Sequence, residues 1–458
     1  MSLNAPDNSS DAVEVAGLED RIGRLWQTYG QLAPQDIPEE ARASERQCIL
    51  DWVGCALAGS REPLVKILRE ESLASGALAT VIGGAAKVSA KDAALVNGSA
   101  GHSLDFDDTN LVGGFHATAT VVPAALAIAE ELGLGGAELL TACIVGTEIS
   151  CRLRVVIGEA HYGYGWHTTG TVGIFGATAA VAWLLRLDRD QFRCAVGLAA
   201  SQAGGLHANF GTMAKPFHAG HAAERGLLSA RLASRGMTAN ADAVSAFFRQ
   251  TGGQDDWDAI ADLGDRWAVV DTLFKQFASG AGTQAAIDAA QRSGAVADQV
   301  IRAEVHISPE FAASAYGVRF PTNSLEAKFS LPGVTALIFL GFDLQDPASF
   351  RDEVIRSSAF VDLVSRIQLV GDTDFSFSAF EAIAGCLVVE TPAGIRRTSF
   401  RPMRDSGPVE SRYAMLRSKF ETLTSPIIGT ASDTLGNYLL ELESVGPISE
   451  VTRLLRVN

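Results

Sequence analysis

The sequence predicts a mainly α protein: a large all-α helical domain over residues 1–274, completed by 408–458, and a smaller α+β domain over 275–407. Three observations carry this. From about Pro38 to about Arg235 the chain runs as successive alanine-rich segments with helical spacing of apolar residues. Near Lys275 the pattern turns to two-residue alternation, and from Ser411 it returns to helix. At 458 residues the chain is long enough for two cores.

The elements follow in order. Pro38-Glu-Glu-Ala-Arg-Ala opens a helix with a proline and two acids in its first turn, where a missing N–H costs nothing and negative charge meets the helix dipole. Its apolar face continues through Cys48, Ile49, Trp52, Val53 and Ala56 and stops at Gly59-Ser60. Further helices are predicted over 90–99, 118–132, 136–156, 171–185, 189–203 and 219–234. Small residues dominate their faces, which permits close helix approach, and the glycine-rich breaks between them place polar groups at helix ends. In the second domain, 303–308 and 366–370 alternate like strands. Residues 386–390 and 396–400 flank the turn Pro392-Ala-Gly394 as a hairpin. No internal repeat or low-complexity linker interrupts this order.

Almost half the residues are apolar (47%) and a fifth are charged (20%), the composition of a globular chain rather than a disordered one. The formal net charge of −16 carries no Lys/Arg-rich run, which argues against nucleic acid as a partner. A few cations lining one pocket can still override the global sign for a small anionic substrate. The longest apolar stretch, 171–185, is short for a membrane span. The polar, acidic start Met1–Glu19 lacks a signal-peptide pattern, so the expectation is a cytoplasmic protein without membrane contact. Cys48, Cys55, Cys143, Cys151, Cys194 and Cys386 are scattered and form no C-x-x-C pair, which fits core thiols in a reducing compartment and argues against an iron–sulfur cluster.

Seven of the eight histidines fall between His102 and His221, in segments that also carry acids, tyrosines or a lysine. Those are the side chains that move protons near neutral pH. Gly101-His-Ser-Leu-Asp-Phe-Asp-Asp-Thr109 sets Asp105, Asp107 and Asp108 between His102 and His116. A divalent cation is one occupant of such a group, although neither an H-x-x-x-H pair nor a Ca²⁺-loop pattern is present. A capped, hydrogen-bonded turn is the plainer alternative for Asp108 and Thr109. His161-Tyr-Gly-Tyr-Gly-Trp-His167 is either a ligand-approaching glycine loop or an aromatic-packed turn. Lys215-Pro-Phe-His218, placed just before a helix, offers a carboxylate anchor or a base of lowered pKa, against an exposed lysine as the bland reading. Arg152 and Arg154 are either carboxylate clamps or surface charges. There is no Walker loop, no strand–GxGxxG–helix context and no G-x-S-x-G, so nucleotide binding and serine hydrolysis are not expected.

Taken together, these segments resemble the MmgE/PrpD family, which includes 2-methylcitrate dehydratase, cis-aconitate decarboxylase and iminodisuccinate epimerase. The matching stretches are 51–59, 101–109, 116–123, 161–176 and 215–226, in the family's order, with the lysine-led segment at Lys275 following. The resemblance implies a helical domain with an α+β lid, a homodimer, no metal or organic cofactor, and a pocket for small di- or tricarboxylates. It also implies proton transfer at the carbon α to a carboxylate. By motif, Asp105 and Thr109 would shape the pocket and His116 would face the substrate. Tyr162, His167 and Lys215 would form the acid/base and carboxylate-binding set, with Lys275 at the lid hinge and Lys275 and Gln284 on the substrate-binding side of the site. Relatives commonly carry a histidine where Gln284 stands, and a bulky residue where Gly333 stands; glutamine cannot exchange a proton as imidazole does. The expected function is therefore a cofactor-independent lyase, dehydratase-like, with an epimerase as the alternative. Tyr162 and Lys215 could serve opposite faces of one carbon without residue 284. A non-catalytic carboxylate binder and a metal-dependent hydrolase are the remaining readings. His102, His161, His207, His218 and His221 are expected to be structural or to support the residues lining the pocket, with His116 and His167 as the histidines that act.

Overall fold

The computed structural model describes residues 20–72, 78–261, 266–376, 383–401 and 408–457; the Met1–Glu19 stretch read above for targeting lies outside them. Two apolar cores divide the chain. The first is built from residues between Ile22 and Phe274 together with Leu416 to Leu455. The second runs from Phe277 to Phe400 and also takes in Cys55, Leu104, Phe106 and Leu423. Leu104 and Phe106 thus plug the second core from a loop that otherwise belongs to the first.

The longer helices between Arg21 and Ser234 are Arg21–Tyr29, Glu39–Gly59, Pro63–Glu71, Ala90–His102, Thr118–Leu132, Gly136–Ile157, Gly173–Leu184, Arg189–Ala200 and Ala214–Ser234, and Ala243–Gln250 follows them. Pro38 stands one residue before its helix rather than inside it, and Glu39 and Glu40 fill the first turn. The helix expected over 171–185 is split at Val172 into Thr168–Thr171 and Gly173–Leu184. The helix expected from 219 begins at Ala214, so Lys215 and Pro216 lie in its first turn instead of ahead of it. Proline is accepted there because the first-turn N–H groups have no intrahelical partner.

Ala90–His102 and Ala214–Ser234 meet through two glycines. A Cβ on Gly98 would lie 2.8 Å from the Gly220 Cα, and one on Gly220 would lie 2.1 Å from the Leu95 carbonyl oxygen. Gly98 faces Gly220 while His102 faces Lys215, so the two helices run in opposite senses. The glycine contact therefore delivers the last residue of one helix to the first turn of the other.

The second region holds a four-stranded sheet in the order Ile367–Gly371, Arg302–Ile307, Gly385–Thr391, Gly394–Ser399. The first pair is parallel and the others antiparallel, with Val305 opposite Leu369 and Leu387. Gln284–Ser293 and Leu331–Phe339 are its longest well-packed helices, and Val409–Ile428 returns the chain to the first core. A two-residue ladder, Thr109–Asn110 with Thr272–Leu273, ties the acidic loop to the entrance of the second region. Among the described residues, no helix is long and apolar enough to cross a membrane.

Candidate active site

The loop after His102 is the centre of the site. Asp105 takes a left-handed backbone conformation (φ +55°), which aspartate tolerates better than most residues but which still carries strain. Four buried lysines hold this loop. Lys328 donates to the Leu104 carbonyl at 2.7 Å, Lys275 to the Asp105 carbonyl at 2.9 Å, and Lys419 to the Phe106 carbonyl at 2.7 Å. The Asp105 carboxylate bridges two of them, with Oδ1 2.6 Å from the Lys275 ammonium and Oδ2 2.9 Å from that of Lys215. Burial alone would raise the Asp105 pKa, but the two flanking ammonium groups hold it well below the usual carboxylate range. Asp105 is thus a fixed anion, with both oxygens engaged.

The two lysines differ. Lys275 is fully buried; burial works against its charge, but Asp105 and Asp107 outweigh that and raise its pKa. Lys215 is lowered, because desolvation exceeds its attraction to Asp105 and Lys275 adds repulsion. Lys215 donates to only one Asp105 oxygen and to His102 Nε2, at 3.0 Å, and its ammonium lies 5.5 and 5.4 Å from the Phe210 and Phe329 rings. Of the two, Lys215 is the one suited to titrate.

A cavity of about 40 Å³ opens beside it. Its wall includes Asp105, Thr109, His116, Tyr162, His167 and Lys215, with Tyr316 and Ala281 contributed from the second region. His116 Nδ1 donates to the Asp108 carbonyl at 2.5 Å, which makes Nε2 the acceptor of the neutral ring, and the His116 amide donates to Thr169 Oγ1 at 3.3 Å. His167 Nδ1 pairs with His218 Nδ1 at 3.1 Å. Burial pushes both His116 and His167 well below the ordinary imidazole range, and Lys215 adds to this for each. Both rings are therefore neutral at pH 7. Tyr162 packs edge-on to His207, with 3.9 Å between ring centroids, and its phenol is raised by burial, then by Glu159. The Tyr316 phenol is raised for the same first cause.

His102, Asp107 and His116 bring three ligand-type atoms within 4.8 Å of one another, so the cation reading of this group can be tested on geometry. His102 Nδ1 bonds Asp107 Oδ2 at 2.8 Å while its Nε2 faces the Lys215 ammonium, and His116 Nδ1 is committed to a backbone carbonyl. A cation there would displace these bonds and sit beside two lysines. The group fits a hydrogen-bonded network better than a metal centre.

Two family profiles cover most of the chain: the MmgE/PrpD N-terminal domain over residues 24–258 and the MmgE/PrpD C-terminal domain over 277–436. The chain belongs to the MmgE/PrpD family. A cis-aconitate decarboxylase-like protein of Aspergillus oryzae is 32% identical over 226 residues, 46% of each chain. Human cis-aconitate decarboxylase is 34% identical over 203 residues, 43% of this chain and 42% of that one. The mouse enzyme is 27% identical over 448 residues, 91% and 89% of the two chains. The stronger local matches thus span under half the length of the relatives, and the weaker one nearly all of it.

Within this MmgE/PrpD chain, six of the residues singled out from the sequence line one cavity: Asp105, Thr109, His116, Tyr162, His167 and Lys215. Lys275 stands behind Asp105 rather than in the wall. Gln284 is not in the wall either. It is a buried brace for the 276–279 loop: its Oε1 accepts from the Gln276 and Phe277 amides, and its Nε2 donates to the carbonyls of Phe277 and Ser279. His161 is structural, bonded to Thr251 and Thr171. Arg152 is held by Glu148, and Arg154 by Glu159. Sequence reasoning missed Tyr316, Lys328 and Lys419; His102, expected in a supporting role, lies outside the wall and contacts Lys215. A tyrosine between small residues, Ala315 and Gly317, was the available signal for Tyr316, which the structure buries.

Proposed function

We propose that this protein is a cofactor-independent enzyme that moves a proton at the carbon α to a carboxylate of a small di- or tricarboxylate, and that the outcome is a lyase reaction. The observation that carries this is Lys215: a buried ammonium of lowered pKa, lining a cavity shared with two neutral histidines and two phenols. Such a set supplies one cation for a substrate carboxylate and several groups for proton transfer without a metal. The relatives' names favour decarboxylation within the lyase class. In that step a carboxyl leaves as CO₂, and the electron pair left on carbon takes a proton from the wall. Lys215 would donate it or steady the developing charge, with Tyr162 or Tyr316 as the second acid. Asp105 fixes Lys215 and does not itself act as base, since both its oxygens are held. Because Gln284 lies outside the wall, the reading does not depend on an imidazole at that position.

Epimerisation is the second reading, favoured by Tyr162 and Lys215 reaching the cavity from separate elements. Incubation in D₂O with cis-aconitate, citrate, 2-methylcitrate, malate and iminodisuccinate stereoisomers, followed by proton NMR, separates the outcomes. CO₂ loss with one deuterium placed on carbon supports the decarboxylase, and new vinylic signals from a hydroxy acid support a dehydratase. Exchange with inversion supports the epimerase. No reaction with any of them leaves a carboxylate binder and refutes the proposal.

A further inference from the structure

The loop that carries Asp105 also carries a second acid that the proposed chemistry does not use. Asp107 is fully buried, and its Oδ2 lies 2.8 Å from His102 Nδ1. The His102 side chain is closed to solvent as well. Its other nitrogen, Nε2, lies 3.0 Å from Lys215 Nζ. An ammonium can only donate, so His102 Nε2 must be the acceptor and Nδ1 must carry the hydrogen that Asp107 receives. The three groups therefore form a directed chain, Lys215 to His102 to Asp107, that fixes one tautomer of the ring.

We propose that Asp107 and His102 are positioning residues that act through Lys215, holding its ammonium so that the remaining N–H points into the cavity. The ammonium has three donors. Asp105 takes one and His102 takes another, and the third is left for the cavity that Lys215 lines. The Phe210 and Phe329 rings flank the ammonium without competing for a hydrogen bond. Without Asp107 the ring is free to turn its Nε2–H toward the lysine, where two donors would face each other. The placement is built in by the helix contact at Gly98 and Gly220, since that crossing brings the C-terminal residue of one helix to the first turn of the other. The proposal rests on the reading that Lys215 takes part in the chemistry.

Asparagine and glutamine separate the two halves of the ring. Glutamine places an acceptor near the position of Nε2, and asparagine places a donor near that of Nδ1. His102→Gln keeps the contact to Lys215; His102→Asn keeps the contact to Asp107. If His102 works through Lys215, His102→Gln retains turnover within about tenfold of wild type and His102→Asn loses about a hundredfold, the usual scale of a displaced acid/base group. Asp107→Asn, which lets the ring adopt either tautomer, falls between them. If the ring only braces the loop, His102→Asn is as active as His102→Gln or more so, and that ranking would overturn the proposal.

A second measurement does not need activity. Lys215 is faced by Asp105, Asp107 and His102 from the loop, by His116, His167 and His207, by His218 of its own helix, and by Lys275 and Lys328. In ¹³C-lysine-labelled full-length protein, the Lys215 Cε signal is assigned by its loss in Lys215→Met. Its titration midpoint is expected to move to lower pH in Asp107→Asn, and an unmoved midpoint also refutes the chain. A Lys215→Met variant with wild-type turnover would sink the functional reading itself. An inactive Lys215→Met beside a fully active His102→Asn would sink only the positioning role.

Discussion

Replacing Asp105 with asparagine isolates the charge that organises the site. Asparagine keeps the shape and tolerates the left-handed conformation that Asp105 adopts, so backbone strain is left almost unchanged. The carboxylate that bridges two ammonium groups is lost. Lys275 Nζ, 2.6 Å from Oδ1 and shut off from solvent, then keeps its contact to the residue-105 backbone carbonyl and finds a neutral amide oxygen in place of the carboxylate. At an effective dielectric constant near 20, the Lys275–Asp105 attraction alone is about 6 kcal/mol gross. The lost desolvation cost of the carboxylate offsets part of this, and breaking a buried pair from one side typically costs about 3–5 kcal/mol net. At about 2 °C per kcal/mol for a chain of this size, the thermal midpoint at pH 7 should fall by about 6–10 °C. The sign of the pH dependence follows from Lys275. Without its partner, burial depresses its folded pKa below the unfolded value of about 10.4, so the deficit is largest at neutral pH and shrinks as pH rises toward 10. Differential scanning fluorimetry of both proteins from pH 7 to pH 10 measures this. A loss of under about 1 °C at pH 7, or a loss that does not shrink by pH 10, would refute the ionic account of the loop.

Two further outcomes follow from buried groups away from the cavity wall. Glu45 is fully buried, and burial first, then Glu148, push its carboxyl up from the usual 4.5 to about 8. It folds as the neutral acid, so its contribution is fully present below pH 4.5 and is lost as pH rises toward 8. Glu45→Gln should therefore match wild type at pH 4.5 and exceed it at pH 9, by at most about 5 kcal/mol at 1.36 kcal/mol per pH unit; equal midpoints at pH 9 would contradict the shift. Gln284→Ala removes the brace of the 276–279 loop, which adjoins Lys275 and the cavity residue Ala281. It should cost about 2–4 kcal/mol in stability and raise KM more than it lowers kcat; an unchanged KM with collapsed kcat would return residue 284 to the chemistry.

Much of the helical architecture was legible because each helix announces itself locally. The run 118–132 carries its own stop at Gly133, which takes a left-handed turn (φ +66°) that a glycine adopts without penalty. The Arg302–Ile307 strand alternates in burial as its sequence alternates in polarity. The cavity residues were legible for a different reason: each lies at a helix end or in a loop rich in groups that carry protons. What the sequence hid is long-range. Lys328 looks like an ordinary surface cation until it reaches a carbonyl 224 residues away, and Lys419 until it reaches one 313 residues away. A single lysine carries no periodicity, so no local pattern distinguishes a buried clamp from a solvated charge. The partner of His102 was hidden for the same reason: Lys215 is 113 residues distant, and the glycine crossing that joins them has no local signature.

The arrangement of lysines also bears on why a pocket proposed to take anions is built around an anion. Asp105 sits between two ammonium groups, yet their basicities move in opposite directions. Lys275 meets Asp105 through both the carboxylate and the carbonyl, and its charge is locked. Lys215 shares the carboxylate through one oxygen, is repelled by Lys275, and turns its other contact to a neutral ring. One carboxylate thus holds a permanent cation behind the wall and a labile one in it. The permanent charge lowers the basicity of the labile one, which on the proposed chemistry eases release of its proton, while Asp105 pairs with it at the wall. Loss of Lys275 would raise the Lys215 pKa by removing that repulsion, so in Lys275→Met the alkaline limb of the pH–rate profile should move to higher pH while Lys215 stays paired with Asp105. A limb that stays in place would mean that the two lysines are not electrostatically coupled.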